Sequence, residues 1–284
     1  MNIADNPHLH KTDVSRSTLF WADCFDVFPL IEDKSVDAII ADLPYGTTAC
    51  KWDSVLPLDK LWTEYERVIK DDGCIVLFAS NPFASALVMS NAKLFRYEFV
   101  WDKVIPTGFT MANYRPMMQH ELILIFSKGK MTYTPKGGYL KFNPQKTKRD
   151  TPIKGYAVKS DFLNDTTFDK KERVYDEKNP ISIITFKKDK KREHPTQKPL
   201  ELLEYLVKTY TNEGDIVLDN VAGSGTTGVA CKNTNRNYIL IEKEPEYVDI
   251  ANKRLATVTV MPVMSTTFTS GLKSLYGVNK DLKT

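Results

Sequence analysis

The chain has 284 residues, enough to bury one sizeable core with a smaller module beside it. Hydrophobic content of 42% and charged content of 26% are ordinary globular values and exclude wholesale disorder. The net charge of +3 hides an uneven distribution: residues 128–198 hold 19 Lys and Arg against 9 Asp and Glu, so they carry +10 and the remainder −7. A basic block on an acidic body points to a polyanion partner; the plainer alternative is a solvated, lysine-rich loop. The opening stretch MNIADNPHLHKTDVSRS has no apolar run suited to a signal peptide, and no segment approaches the roughly 20 apolar residues of a membrane span. Cys24, Cys50, Cys74 and Cys231 are scattered, without the paired spacing of a disulfide framework or zinc site. A cytoplasmic protein with reduced thiols, no membrane segment and no metal is expected.

In chain order, strands are predicted at Thr18–Asp23, Val36–Asp42, Cys74–Ala79, Tyr97–Trp101 and Glu121–Ser127, each an apolar run bounded by Asp, Asn, Pro or Gly. Between them Leu58–Ile69 has a helical stripe of Leu58, Leu61, Trp62, Tyr65, Val68 and Ile69. Residues 128–193 break the rhythm with glycine turns and the clusters Lys146, Lys148, Arg149 and Lys187, Lys188, Lys190, Lys191, Arg192. They read as an inserted module or long excursion rather than core. The rhythm then resumes with a helix at Leu200–Tyr210, a strand at Ile216–Asp219, a helix from Thr226, a strand at Tyr238–Glu242 and a helix at Glu246–Leu255. Strands alternating with helices imply an α/β fold with a doubly wound, largely parallel sheet. The domain formed by residues 18–127 and 194–256 then carries the inserted region 128–193 and a tail, 257–284, of unassigned role.

Ile216–Asp219 leads into a tight Gly223-Ser224-Gly225 turn and a helix opening at Thr226. Glycine there lets the backbone approach a ligand where a Cβ would collide, or packs the helix closely. Glu242 closes the next strand, and an acid at that place can accept hydrogen bonds from both ribose hydroxyls of an adenosine-containing ligand. Gly228 completes a G-x-G-x-x-G spacing, so this segment alone leaves a dinucleotide open.

The strand at 36–42 ends in Asp42-Leu43-Pro44-Tyr45. This tetrapeptide resembles the Asp-Pro-Pro-Tyr motif of amino-methyltransferases acting on DNA, with Leu43 in place of the first proline. Asp219-Asn-Val-Ala-Gly-Ser-Gly-Thr-Thr227 resembles that family's glycine-rich cofactor motif, with Val221 where Phe is usual. His194-Pro-Thr-Gln-Lys-Pro199 resembles the segment before it, and Phe20-Trp-Ala-Asp23 the strand end that approaches the cofactor adenine. The order, catalytic motif, basic variable region, cofactor motif, is the permuted order of the family's beta group.

The resemblance implies S-adenosylmethionine as cofactor, held by Asp23, Thr196, Lys198, Asp219, Val221, Gly223, Ser224, Gly225, Thr226 and Glu242. It implies DNA as partner, docked on the two basic clusters, and adenine N6 as acceptor, since cytosine N4 enzymes more often begin the tetrapeptide with Ser. The family includes monomers and dimers, and a homodimer and a cognate restriction enzyme are partners it admits. In the chemistry it implies, the Asp42 carboxylate and the carbonyl of Leu43 or Pro44 accept from the two N–H groups of the amine and localise its lone pair. Tyr45 then stacks on a base extruded from the duplex. Cytosine N4 is the nearest alternative. An RNA or protein amide methyltransferase, a decayed DNA-binding protein and a dehydrogenase are weaker ones. Asp23 has a second reading as a cap, and Trp52 and Asp53 touch substrate or pin the loop. Tyr133, Tyr139, Phe142 and Tyr156 pack the inserted region or stack on bases. His194 and His120 are read as structural.

Overall fold

The structure is a computed structural model and describes residues 17–46, 54–131, 138–155, 172–189 and 197–258. Five parallel strands lie in the order β1 (Thr18–Trp21), β10 (Asn237–Glu242), β9 (Ile216–Asp219), β2 (Val36–Ala41) and β3 (Ile69–Ala79). The sheet continues through antiparallel β5 (Met118–Phe126) to β4 (Phe95–Thr107) and β8 (Ile183–Thr185), which again run parallel to each other. Every residue of β2 is buried, the mark of a central strand covered on both faces.

Alternate side chains supply the two cores. Ala38, Ile40, Val76 and Phe78 face α4 (Leu200–Tyr210), α5 (Thr226–Asn233) and α6 (Pro245–Thr257). Ile39, Ala41, Ile75 and Leu77 face α1 (Cys24–Val27), α2 (Leu58–Val68) and α3 (Phe83–Ser90). The expected α/β sheet is therefore present, and the expected strands and helices fall on it with shifted ends. The strand expected at Cys74 begins at Ile69, directly from the end of α2. Helix α3 is not visible as a periodic pattern, because Phe83-Ala-Ser-Ala-Leu-Val-Met89 offers apolar groups on every side.

The chain leaves β2 through α2 towards β3, and leaves β9 through α5 towards β10 on the other side. The β2–β9 junction is thus the switch point, where a crevice opens beyond the carboxyl ends of the strands. Asp42 and Asn220 follow those two ends.

The excursion at 128–193 is only partly separate from this body. Leu140 and Ile184 are buried in the core, and β8 extends the main sheet. Lys141 reaches Asp37 Oδ1 at 3.0 Å and Asp215 Oδ2 at 2.8 Å, which ties the excursion to the amino ends of β2 and β9. What projects is a two-stranded ribbon, β6 (Thr147–Gly155) and β7 (Arg173–Lys178), exposed along nearly its whole length. Cys24, Cys74 and Cys231 are buried free thiols. No helix among the described residues is long and apolar enough to cross a membrane.

Candidate active site

The switch-point crevice is a cleft of about 990 Å³, including the part open to solvent. Its wall brings together Asp23, Asp42, Pro44, Lys198, Asp219, Val221, Gly223, Ser224, Thr226 and Glu242, ten of the residues singled out from the sequence. Leu43, Tyr45 and Gly225 are not on that wall. Leu43 is buried in the core below it. Thr196, Lys190, Lys191, Arg192, His194, Cys50, Trp52, Asp53, Tyr133 and Tyr156 lie outside the described residues.

On the β9 side the turn is built on buried hydrogen bonds. Asp219 accepts from Thr227 Oγ1 at 2.6 Å and from the Val221 N–H at 3.1 Å. Burial pushes its carboxyl up to about 7; those two bonds oppose the rise, and the Asp42 and Glu242 charges add to it. Gly223, at φ +50°, donates its N–H to Glu242 Oε2 at 2.7 Å, and the Glu244 N–H donates to Oε1 at 2.8 Å. Burial also raises the Glu242 carboxyl, against these backbone donors. Gly225 sits at φ +73° as the cap of α5, and a Cβ there would stand 2.8 Å from Ala251 Cβ, which agrees with the helix-packing alternative for this glycine. Asp23 Oδ1 accepts from the Phe25 N–H at 2.9 Å, which caps α1, and the residue also lines the cleft.

Sequence reasoning missed Arg254. Its Nη1 donates to Ser224 O at 2.7 Å, Ser224 Oγ at 2.8 Å and Thr226 Oγ1 at 2.8 Å, pinning the turn from α6. An arginine among the inward positions of α6, three residues after Ala251, was the available signal.

On the β2 side, Asp42 receives two donors. Lys198 Nζ lies 2.6 Å from Oδ2, and the Tyr45 hydroxyl donates to Oδ1 at 2.8 Å. The Tyr45 ring stacks on Phe83, centroids 5.1 Å apart and planes at 23°. Lys198 also faces Glu121 Oε2 at 3.3 Å, and Glu121 pairs with Lys103 at 3.2 Å. Burial works against the Lys198 charge, but Asp42 and Glu121 outweigh it and raise the ammonium above its ordinary value. Glu121 is lowered in the same way: burial opposes, and Lys198, Lys103 and Lys188 prevail. Neither Lys103 nor Glu121 was singled out as functional. A carboxylate in the apolar run 118–126 and a lysine in 95–107 were the only hints.

Of the basic clusters, Lys146 pairs with Glu177 at 3.2 Å and Arg149 Nε donates to the Glu177 carbonyl at 3.0 Å, both on the ribbon. Lys148 lies on the ribbon beside them, while Lys187 and Lys188 follow β8 at the edge of the main sheet. Tyr139 and Phe142 are part-exposed, and Phe142 packs on Tyr210 with centroids 6.2 Å apart, the packing alternative. Among the described residues no group of His, Cys, Asp and Glu could hold a metal ion.

A doubly wound sheet whose switch point joins an Asp-Leu-Pro-Tyr strand end to a glycine turn and a terminal acid has the architecture of the amino-methyltransferases. The chain belongs to the N6-adenine/N4-cytosine DNA methyltransferase family: the family model described as DNA methylase matches residues 36–253. It is 31% identical over 238 residues to the type II methyltransferase M.HpaI of Haemophilus parainfluenzae, covering 79% of this chain and 69% of that one. It is 30% identical over 249 residues to the type II methyltransferase M1.MboII of Moraxella bovis, covering 81% and 93%. Among solved structures, the M1.HpyAVI–SAM complex is similar at 29% identity and a TM-score of 0.56, covering 84% of this chain and 99% of that one.

Proposed function

We propose that the protein transfers the methyl group of S-adenosylmethionine to the N6 amino group of adenine at specific sites in DNA. The observation that carries this reading is a single cleft with the Asp42 carboxylate and Pro44 on one wall and the Gly223 turn and Glu242 on the other. The residues present fit the cofactor. Asp23 and Glu242 are acceptors suited to an adenine amine and ribose hydroxyls, and buried Asp219 suits the ammonium of the methionine part. The similar structure determined with SAM supports the same assignment. When bound, the cofactor supplies an electrophilic methyl group on sulfur.

The chain's own task is positioning. An adenine amino nitrogen is a poor nucleophile, because its lone pair is delocalised into the ring. Asp42 accepts from one N–H and the Pro44 or Leu43 carbonyl from the other, which turns the lone pair towards the methyl. Proline fixes φ and offers no competing N–H. Leu43 keeps the carbonyl and takes its rigidity from burial at 3% exposure instead of from a ring. Tyr45, backed by Phe83, presents an aromatic face on which an extruded base can stack. Lysines on the ribbon and after β8 supply phosphate contacts.

The test is nucleoside mass spectrometry on DNA from methylation-free cells expressing the wild type or Asp42→Ala. N6-methyladenine in the wild type alone is expected, with cofactor binding retained in the variant. N4-methylcytosine would keep the mechanism and correct the base. Wild-type turnover in Asp42→Ala would refute the role given to Asp42.

A further inference from the structure

Asp42 is the end of a run of four charges whose other three members, Lys198, Glu121 and Lys103, have no part in the transfer step as derived above. Lys103 on β4, 4% exposed, reaches Glu121 Oε1 on β5 at 3.2 Å. Glu121 faces Lys198 through Oε2 at 3.3 Å, and Lys198 holds Asp42 Oδ2 at 2.6 Å. The signs alternate, so the run is neutral as a whole. The two contacts of Lys198 are unequal. At 2.6 Å it makes a charge-assisted hydrogen bond, whereas the 3.3 Å contact is an ion-pair separation without hydrogen-bond alignment. Glu121 Oε2 is left buried with no hydrogen-bond partner among the described residues. Such an oxygen is costly to keep, and it calls for an explanation.

The incoming base supplies one. Its amino group must donate to Asp42, where Tyr45 already occupies Oδ1 and Lys198 occupies Oδ2. We propose that Glu121 is a positioning residue that receives the Lys198 ammonium when the target amine takes Asp42 Oδ2. This rests on the reading of Asp42 as the acceptor for the base. A small turn and shift of the ammonium aligns it on Glu121 Oε2, converts the 3.3 Å contact into a hydrogen bond and weakens the 2.6 Å one. The Phe78 ring, its centroid 5.0 Å from Lys198 Nζ, offers the moving cation an attractive surface with little directional demand. Lys103 neutralises Glu121 and fixes it in place. No proton changes hands in this step.

The experiment is single-turnover methyl transfer from radiolabelled S-adenosylmethionine to unmethylated genomic DNA, with cofactor affinity and melting temperature measured alongside. Lys103→Met combined with Glu121→Met replaces the buried pair by apolar groups of similar volume, an exchange that is often neutral or stabilising. It should bind cofactor as the wild type does, yet transfer about tenfold more slowly or worse. Glu121→Gln, which keeps the volume, should lose rate to a similar degree. In a Lys198→Met background the same pair of changes should cost nothing further, because no cation remains to be received. Wild-type transfer by Lys103→Met/Glu121→Met overturns the proposal. So does a full second loss in the Lys198→Met background, or a rate loss matched by weakened cofactor binding. Absence of transfer to DNA by the wild type itself would refute the proposed function, a result distinguishable from all of these.

Discussion

Asp219 gives a quantitative handle on the conflict between folding and cofactor binding. Its carboxyl is fully buried and raised from the ordinary 3.8 to about 7, chiefly by loss of hydration. Between those two values the folded chain holds a proton that the unfolded chain has released, so stability falls as pH rises through this window and levels off above about 7. At about 1.4 kcal/mol per pH unit the whole interval corresponds to about 4 kcal/mol, an upper bound because a buried site relaxes when it ionises. Asp219→Asn removes the titration while keeping an acceptor for the Val221 N–H and a partner for Thr227. Cofactor-free Asp219→Asn should therefore be more stable than wild type at about pH 8, and the gap should shrink by up to about 2 kcal/mol at about pH 5.5. Urea unfolding of both proteins at the two pH values reads this difference, with shifts common to both cancelling. Calorimetric titration at the higher pH should show S-adenosylmethionine bound more weakly by the variant, since a buried carboxylate no longer faces the ligand's cation. A stability gap that does not change with pH would refute the assignment of a raised Asp219.

Two further outcomes follow from the geometry. Gly225→Ala places a methyl group within 2.8 Å of Ala251 at φ +73°, and should lower stability by about 1–3 kcal/mol in a melting assay; an unchanged melting temperature would show that α6 yields. Charge neutralisation across Lys187–Arg192 should weaken DNA binding and reduce the slope of log affinity against log salt by about 0.9 for each phosphate no longer neutralised; an unaltered slope would place the docking surface elsewhere.

The sheet and the cleft were legible in the sequence for one physical reason: they depend on local signals. Val36-Asp-Ala-Ile-Ile-Ala41 is apolar because both faces of β2 are covered, and the turns that follow β2 and β9 carry Pro44 and Gly223 where the backbone must bend. Pairing across the sheet was not legible. Glu121 and Lys103 became parts of the site only because β4 and β5 lie side by side, with Trp101 opposite Glu121. Arg254 escaped notice for the same reason, its targets Ser224 and Thr226 being reached only when α6 packs on α5. The excursion looked detached because its anchors, Leu140, Lys141 and Ile184, are single residues in otherwise polar stretches.

The strand order also bears on how the protein is made. β1 and β2 leave the ribosome before the other strands, yet in the finished sheet β10 and β9 stand between them, and these are the last two strands of the sheet in chain order. Until residues 216–242 emerge, β1 has no neighbour and one edge of β2 lies open, its backbone donors and acceptors unpaired. The nascent chain therefore carries its acidic tetrapeptide on an unfinished sheet, and modification of DNA must wait until residues 216–242 have been made. A product cut short before residue 216 would be both inactive and prone to stick to others through the missing middle of its sheet.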